Sequence, residues 1–286
     1  MPSLKTLRLR IKSVKNTRQI TKTMKMVAAA KVRRARAAVE SARPYAARLG
    51  AILGNIAANA AGDAPLLLRG RETVQTVRLI VCGSDRGLCG GLNSNLLKAA
   101  AKWVRDQEAQ GRTVQLVAVG RKIRDGLKST HGSQLVASHT DLGRQVEFAH
   151  AQAIAKEALE SFEAGVADEV HLLSAELVSM LSQTPKHTQL IPFAVAAGEA
   201  AASSTEFEPS EEAVLADLLP RNLNLQVFSA LLETQASEQA ARMTAMDSAT
   251  RNAGEMIKKL SVQYNRSRQA AITKELIEII SGAEAV

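Results

Sequence analysis

The sequence predicts long helices combined with an α/β domain: both termini supply the strands of an antiparallel two-helix left-handed coiled coil, and a small α/β domain is inserted between them. Three observations predict this. Positions 4, 7, 11, 14 and onward to 56 keep the alternating 3–4 spacing of a coiled-coil seam, and thirteen of those sixteen positions are apolar. A second stripe runs through Leu225, Leu232, Met243, Met246, Ala253, Ile257, Leu260 and Tyr264. Between the two stripes, short β-type runs alternate with amphipathic segments. Seam residues at this spacing drift around a straight helix, so two such helices bury them only by winding left-handedly about each other.

The first helix is expected over residues 3–60, roughly 85 Å long at 1.5 Å per residue. Pro44 falls inside it and should kink it, and Gly62-Asp63-Ala64-Pro65 forms a stop signal. Strands follow at Val77–Val81, Val114–Val119, Val170–Leu173 and Gln189–Phe193. Helices are expected over Leu92–Gln110, from Arg121, and over 145–165. That alternation describes a small Rossmann-like α/β sheet domain. Residues 197–209 are rich in Ala, Ser and Glu and read as a loose connection. Pro209-Ser210-Glu211-Glu212 starts the last helix, with Ser210 as N-cap. Pro220 should break or kink that helix early, and Gly282 fits its closing cap. Three regions result: a shaft helix over 1–62, the α/β domain over 63–209, and a second shaft helix over 210–286, paired with the first. The C-terminal stripe slips in phase after Tyr264, where Ile272, Leu276, Ile279 and Ile280 take over, so that stretch is expected to leave the pair and meet another protein.

Charge is unevenly placed. Of the formal +9, residues 1–60 carry +13, with Glu40 as their one acid, and the remainder carries −4. Such a basic arm suits a polyanion: nucleic acid, an anionic membrane surface, or an acidic protein channel. Bases and seam positions interleave along the whole arm rather than forming one block, and the arm offers no aromatic series for base stacking. A basic coiled-coil nucleic-acid-binding protein stays the alternative. A nucleotide-binding α/β enzyme is a second rival, because Gly83-Ser84-Asp85-Arg86-Gly87-Leu88-Cys89-Gly90-Gly91 follows a strand and precedes a helix. Its spacing matches neither dinucleotide-binding nor P-loop patterns, so a glycine turn that lets a helix approach the sheet is the favoured reading. His131, His139, His150, His171 and His187 form no metal-ligand pair and read as surface or loop residues. Cys82 and Cys89 read as reduced structural thiols. No cofactor, metal site or autonomous active site is expected. No apolar run reaches membrane-spanning length, which predicts a chain held in the cytosol. The seam fails at Arg18, Thr21 and Lys25, with Ile20, Met24, Met26 and Val27 beside the gap.

Three separated motifs, in order, resemble the gamma-subunit family of F-type ATP synthases. They are Ile11 to Lys31, then Ser84 to Gly90, then Ser237-Glu238 with Arg242-Met243 followed by Tyr264 to Ile279 and Gly282-Ala283. The resemblance implies a central rotor shaft without catalytic residues. It implies alpha and beta subunits around the paired helices, with the epsilon subunit and the membrane c-subunit ring below, and one copy per complex. It implies torque transmitted between proton flow and ATP synthesis or hydrolysis. It further implies contacts to the beta subunit from Met24, Lys25, Arg242, Arg268, Gln269 and Thr273. The implied location is the cytoplasmic face of a bacterial inner membrane, peripheral and without direct insertion. Plastid relatives carry an inserted cysteine pair; no such insert is visible between about 195 and 215, so Cys82 and Cys89 are not expected to form that switch.

Overall fold

A computed structural model describes residues 3–59, 65–143, 145–193 and 211–284. Helix α1 spans Leu4–Asn59 and keeps Pro44 inside it. A single turn, α2 (Leu66–Arg69), leads to the sheet, with Pro65 directly before it. Then come β1 (Thr76–Cys82), α3 (Leu92–Glu108), β2 (Thr113–Val119), α4 (Arg121–His131), β3 (Leu135–His139), α5 (Phe148–Glu163), β4 (Glu169–Leu177), β5 (Gln183–Ile191) and α6 (Glu211–Glu284). The predicted stop at Gly62–Ala64, the connection over 197–209 and the Ser210 cap lie outside the described residues.

The chain divides into two compact units. One comprises Ala29–Arg242, and the other comprises residues 1–28 with 243–286.

In the larger unit the five strands lie in the order β3-β2-β1-β4-β5. β1, β2, β3 and β4 run parallel, and β5 closes the edge antiparallel to β4. Strand residues point alternately to opposite faces. Val77, Leu79 and Val81 of β1 join Leu92, Leu96, Ala100 and Val104 of α3 and Ile123 and Leu127 of α4. Ile80 and Cys82 face the other way, onto Ile154, Ala155, Ala158 and Phe162 of α5. Leu49 and Leu53 of α1 and Leu215, Leu219, Leu223 and Leu231 of α6 share that second core. A parallel strand covered on both faces is largely apolar, which is why β1 reads as a Val/Leu/Ile run broken only by Arg78, buried and held by Gln115 and Glu157.

Pro220 does not end α6: the helix continues through it. Leu219 and Leu223, on either side of it, are fully buried in the sheet core. Burial of those side chains offsets the cost of an interior proline, roughly 3 kcal/mol. Gly282 is likewise not the helix terminus, since α6 runs to Glu284. A helical glycine costs only about 1 kcal/mol relative to alanine.

In the smaller unit the two terminal helices pair antiparallel. Gly254 stands beside Arg18, whose Nε would be 3.8 Å from a Cβ placed there. Thr250 Oγ1 donates to Thr21 Oγ1 at 2.8 Å. Lys25 Nζ meets Asp247 Oδ1 at 2.6 Å. As numbering climbs from 18 to 25 on α1, its partner falls from 254 to 247, the signature of an antiparallel register. The apolar flank of this layer is Ala28 on α1 with Met246 and Ala253 on α6, all buried. The half-buried stripe of α6 continues through Ile257, Leu260, Tyr264, Ser267 and Ala271. Ile272, Leu276, Ile279 and Ile280 do not take it over: all four are exposed.

Candidate functional site

The three polar positions that interrupt the seam form a structured layer. Thr21 is buried, and its hydroxyl also donates to the Arg18 carbonyl at 3.1 Å. The Thr250 hydroxyl likewise has the Met246 carbonyl of its own helix at 2.7 Å, so each threonine keeps an intrahelical acceptor, and a slipped register would lose only the contact between the two hydroxyls. Lys25 and Asp247 close the layer at its rim, where each remains more than a third exposed. The lysine's hydrogen bond holds the Asp247 carboxyl below its usual range. Met24 is half-buried alongside, while Ile20, Met26 and Val27 stand exposed on α1. An apolar patch so close to charged residues is a surface suited to a protein partner.

Extending the register one residue for one residue brings Leu4, where α1 begins, level with Arg268. Arg268, Gln269 and Thr273 are exposed, and the Thr273 hydroxyl donates to the Gln269 carbonyl at 3.0 Å. No described residue of α1 reaches past that level, and α6 runs on to Glu284, for about 24 Å at 1.5 Å per residue.

The glycine turn lies in the larger unit. Its interior is filled by its own side chains. Ser84, buried, donates to the Arg86 carbonyl at 2.7 Å, and Asn93 Nδ2 donates to Ser84 Oγ at 2.8 Å and to Cys89 Sγ at 3.3 Å. A Cβ on Gly83 would stand 2.3 Å from Ile123 Cγ1, so glycine here lets α4 approach the strand end. Asp85 Oδ1 accepts the backbone N–H groups of Arg121 at 2.9 Å and Asp141 at 3.2 Å, pinning two neighbouring segments to the turn. The favoured reading of the turn as a packing device holds.

Arg242 of α6 fastens the turn from outside. Its guanidinium pairs with Glu238 at 2.5 Å and donates to the Gly87 carbonyl at 3.2 Å and the Arg86 carbonyl at 3.4 Å. Its side chain is only 11% exposed and that of Glu238 15%. The structure thus places Arg242 as an internal clamp of the larger unit. Leu88, at the tip of the clamped turn, is exposed with φ 63°. Sequence reasoning missed Asp85, Asp247 and Thr250. The available signal for the last two was a polar pair on one face of the C-terminal helix, three residues apart, to set against Thr21 and Lys25, four apart.

His171 departs from the surface-or-loop expectation. His171 is buried on β4, stacked on His187 of β5 with ring centroids 5.0 Å apart and tilted against Trp103 at 5.1 Å. Burial pushes its pKa down, opposed by its hydrogen bond to Glu169. His139 Nε2 lies 2.7 Å from Glu157 Oε2. Both cysteines are free and buried, and burial raises the Cys82 thiol to about 12. Among the described residues no group of His, Cys, Asp and Glu could hold a metal ion, and no helix is long and apolar enough to cross a membrane.

The model of the family described as ATP synthase matches residues 3–286. Proteins named ATP synthase gamma chain are 54% identical in Fuscovulum blasticum, over 288 residues, and 53% identical in Paracoccus denitrificans, over 291 residues, each alignment spanning 100% of both chains. The chain belongs to the ATP synthase gamma-chain family. Among solved structures, a gamma-type fold recurs in the central stalk/c-ring of Tetrahymena thermophila mitochondrial ATP synthase, at 27% identity and TM-score 0.62 over 80% of this chain and 99% of that one. The rotor of the Euglena gracilis mitochondrial ATP synthase shares the fold, at 19% identity and TM-score 0.64 over 94% of this chain and 98% of that one. Membership of the gamma-chain family accounts for a long helix at each end of one α/β domain.

Proposed function

We infer that the chain is the central rotor stalk subunit of an F-type ATP synthase, transmitting torque between proton flow through the membrane c-ring and ATP synthesis or hydrolysis at the beta subunits. It is a non-catalytic subunit. Its partners are the alpha and beta subunits, the epsilon subunit and the c-subunit ring, with one copy in each complex. The observation that carries this reading is the antiparallel pairing of the two terminal helices through the Thr21–Thr250 and Lys25–Asp247 layer. A polar layer fixes register along a helix pair, as a torque-bearing element requires.

In this reading the shaft comprises 1–62 and 210–286, and residues 63–209 form the part that meets epsilon and the ring. Met24, Lys25, Arg268, Gln269 and Thr273 meet the beta subunits through their exposed or half-exposed side chains. Arg242 contributes to the same contact by holding the Arg86–Leu88 turn toward them. An asymmetric stalk favours different conformations of three equivalent subunits only through differential contacts of this kind. The complex sits peripherally on the cytoplasmic face of the bacterial inner membrane, which the stalk reaches through its partners.

Reconstitution tests the reading. Adding the full chain to purified alpha and beta subunits should restore steady ATPase turnover. Failure to join such an assembly, or joining it with no change in ATPase rate, would remove the rotor assignment.

A further inference from the structure

A cleft of about 930 Å³ opens in the larger unit between α1, the segment joining β3 to α5, and α6. Its volume falls within the range of small-molecule sites, roughly 300–1,000 Å³. Lys31 and Arg34 of α1 and Arg86 of the glycine turn line it, and none of the three makes an ion pair among the described residues.

The acids nearby are already engaged. Asp141 pairs with Arg121. Glu147 precedes the first residue of α5, where the positive end of the helix dipole offsets its charge, and its N–H donates to His150 Nδ1 at 3.1 Å. The cleft therefore keeps three uncompensated cations around a concavity, an arrangement that focuses positive potential. Arg86 is held at its root, because its carbonyl accepts from both Ser84 and Arg242. The apolar part of the lining is Leu142, Val146 and Phe228, each half-buried, with the almost fully buried Leu232 beside them. Phe228 is fixed edge-on against Phe148, ring centroids 5.4 Å apart.

We propose that this cleft binds a small molecule carrying a di- or polyphosphate and a planar ring, the chemistry of a nucleoside diphosphate. Lys31, Arg34 and Arg86 take the phosphate oxygens, and the ring lies against Phe228 and the half-buried Leu142 and Val146. The phosphate part supplies charge-assisted hydrogen bonds, and the ring covers apolar surface that phosphate alone leaves wet. Apolar lining beside the three cations favours a small molecule that carries a ring over a purely acidic peptide.

The test uses the full chain and isothermal titration with three probes: ADP, pyrophosphate and adenosine. ADP should bind saturably, pyrophosphate roughly tenfold more weakly, and adenosine without saturation. Arg86→Gln and the pair Lys31→Gln with Arg34→Gln should each weaken ADP binding roughly tenfold. These side chains are exposed, and circular dichroism checks that the variants fold. Amide exchange of residues 140–147 should slow on adding ADP to the wild type and not to the variants. Absence of saturable ADP binding up to about 5 mM overturns the proposal, as does wild-type affinity in the triple variant. Equal affinity for pyrophosphate and ADP overturns it as well. So does binding of a glutamate-rich peptide where ADP does not bind.

Discussion

Replacing Arg242 with alanine should loosen the chain well beyond what a surface arginine is worth. The guanidinium lies against the Glu238 carboxylate at 2.5 Å with both side chains at most 15% exposed. Removing one member of a buried pair leaves the other charge desolvated, at about 3–5 kcal/mol. Residual solvent access for Glu238 puts the loss near the lower end, about 3 kcal/mol. The two long hydrogen bonds to the Gly87 and Arg86 carbonyls together add about 1 kcal/mol. At about 2–4 °C per kcal/mol for a domain of this size, Tm should fall by roughly 10 °C. Calorimetry on the full chain reads the shift, and hydrogen exchange over 84–91 shows whether the turn is the part released. Glu238→Gln combined with Arg242→Gln removes both charges, so a double-mutant cycle should give a coupling of about 2 kcal/mol. A Tm within about 1 °C of wild type for Arg242→Ala, or strict additivity in the cycle, would refute the clamp.

Arg268→Ala with Gln269→Ala should weaken coupling in the assembled synthase while leaving the melting of the α/β domain unchanged, because both side chains are exposed; wild-type ATP synthesis in membranes would take them off the contact surface. Cys82 should resist a thiol reagent at pH 8 until the chain unfolds, since burial holds its thiol at about 12; as its folded pKa is the raised one, stability should fall as pH climbs from about 9 toward 12. His171 has a lowered folded pKa, so the unfolded chain takes up its proton first and stability should fall as pH drops below about 6.5. His171→Phe should flatten that acid limb in urea titrations, where Glu169, Arg112 and His187 supply the other charges facing the ring.

Much of this was legible because the relevant signals are periodic. The α1 seam needs only spacing, and of its described positions all but Arg18 are buried or half-buried. β1 needs only a Val/Leu/Ile run, interrupted once by Arg78, between polar flanks. What escaped were features decided by partners distant in sequence. β3 (Leu135–His139) sits at the sheet edge with alternating partial exposure and no apolar run, so it left no strand signature. β5 was recognised only at its apolar end, because Thr184, Pro185, Lys186 and His187 face solvent on the opposite edge strand, where a proline is tolerated. Pro220 does not break α6 because the penalty is local and the burial of Leu219 and Leu223 is not. Of the proposed contact residues, the exposure of Arg268 and Gln269 agrees with a surface role. The near-burial of Arg242 could not be anticipated, since nothing in sequence says that the carbonyls of residues 86 and 87 lie beneath it.

The difference in reach between the paired helices has a mechanical consequence. Where α1 and α6 run side by side, twist is resisted by interlocked side chains on two backbones. Past Arg268, among the described residues, the hydrogen-bond ladder of one helix remains to resist it. That end is the torsionally softer spring, able to wind up and release elastic strain while the double-stranded stretch below it stays in register.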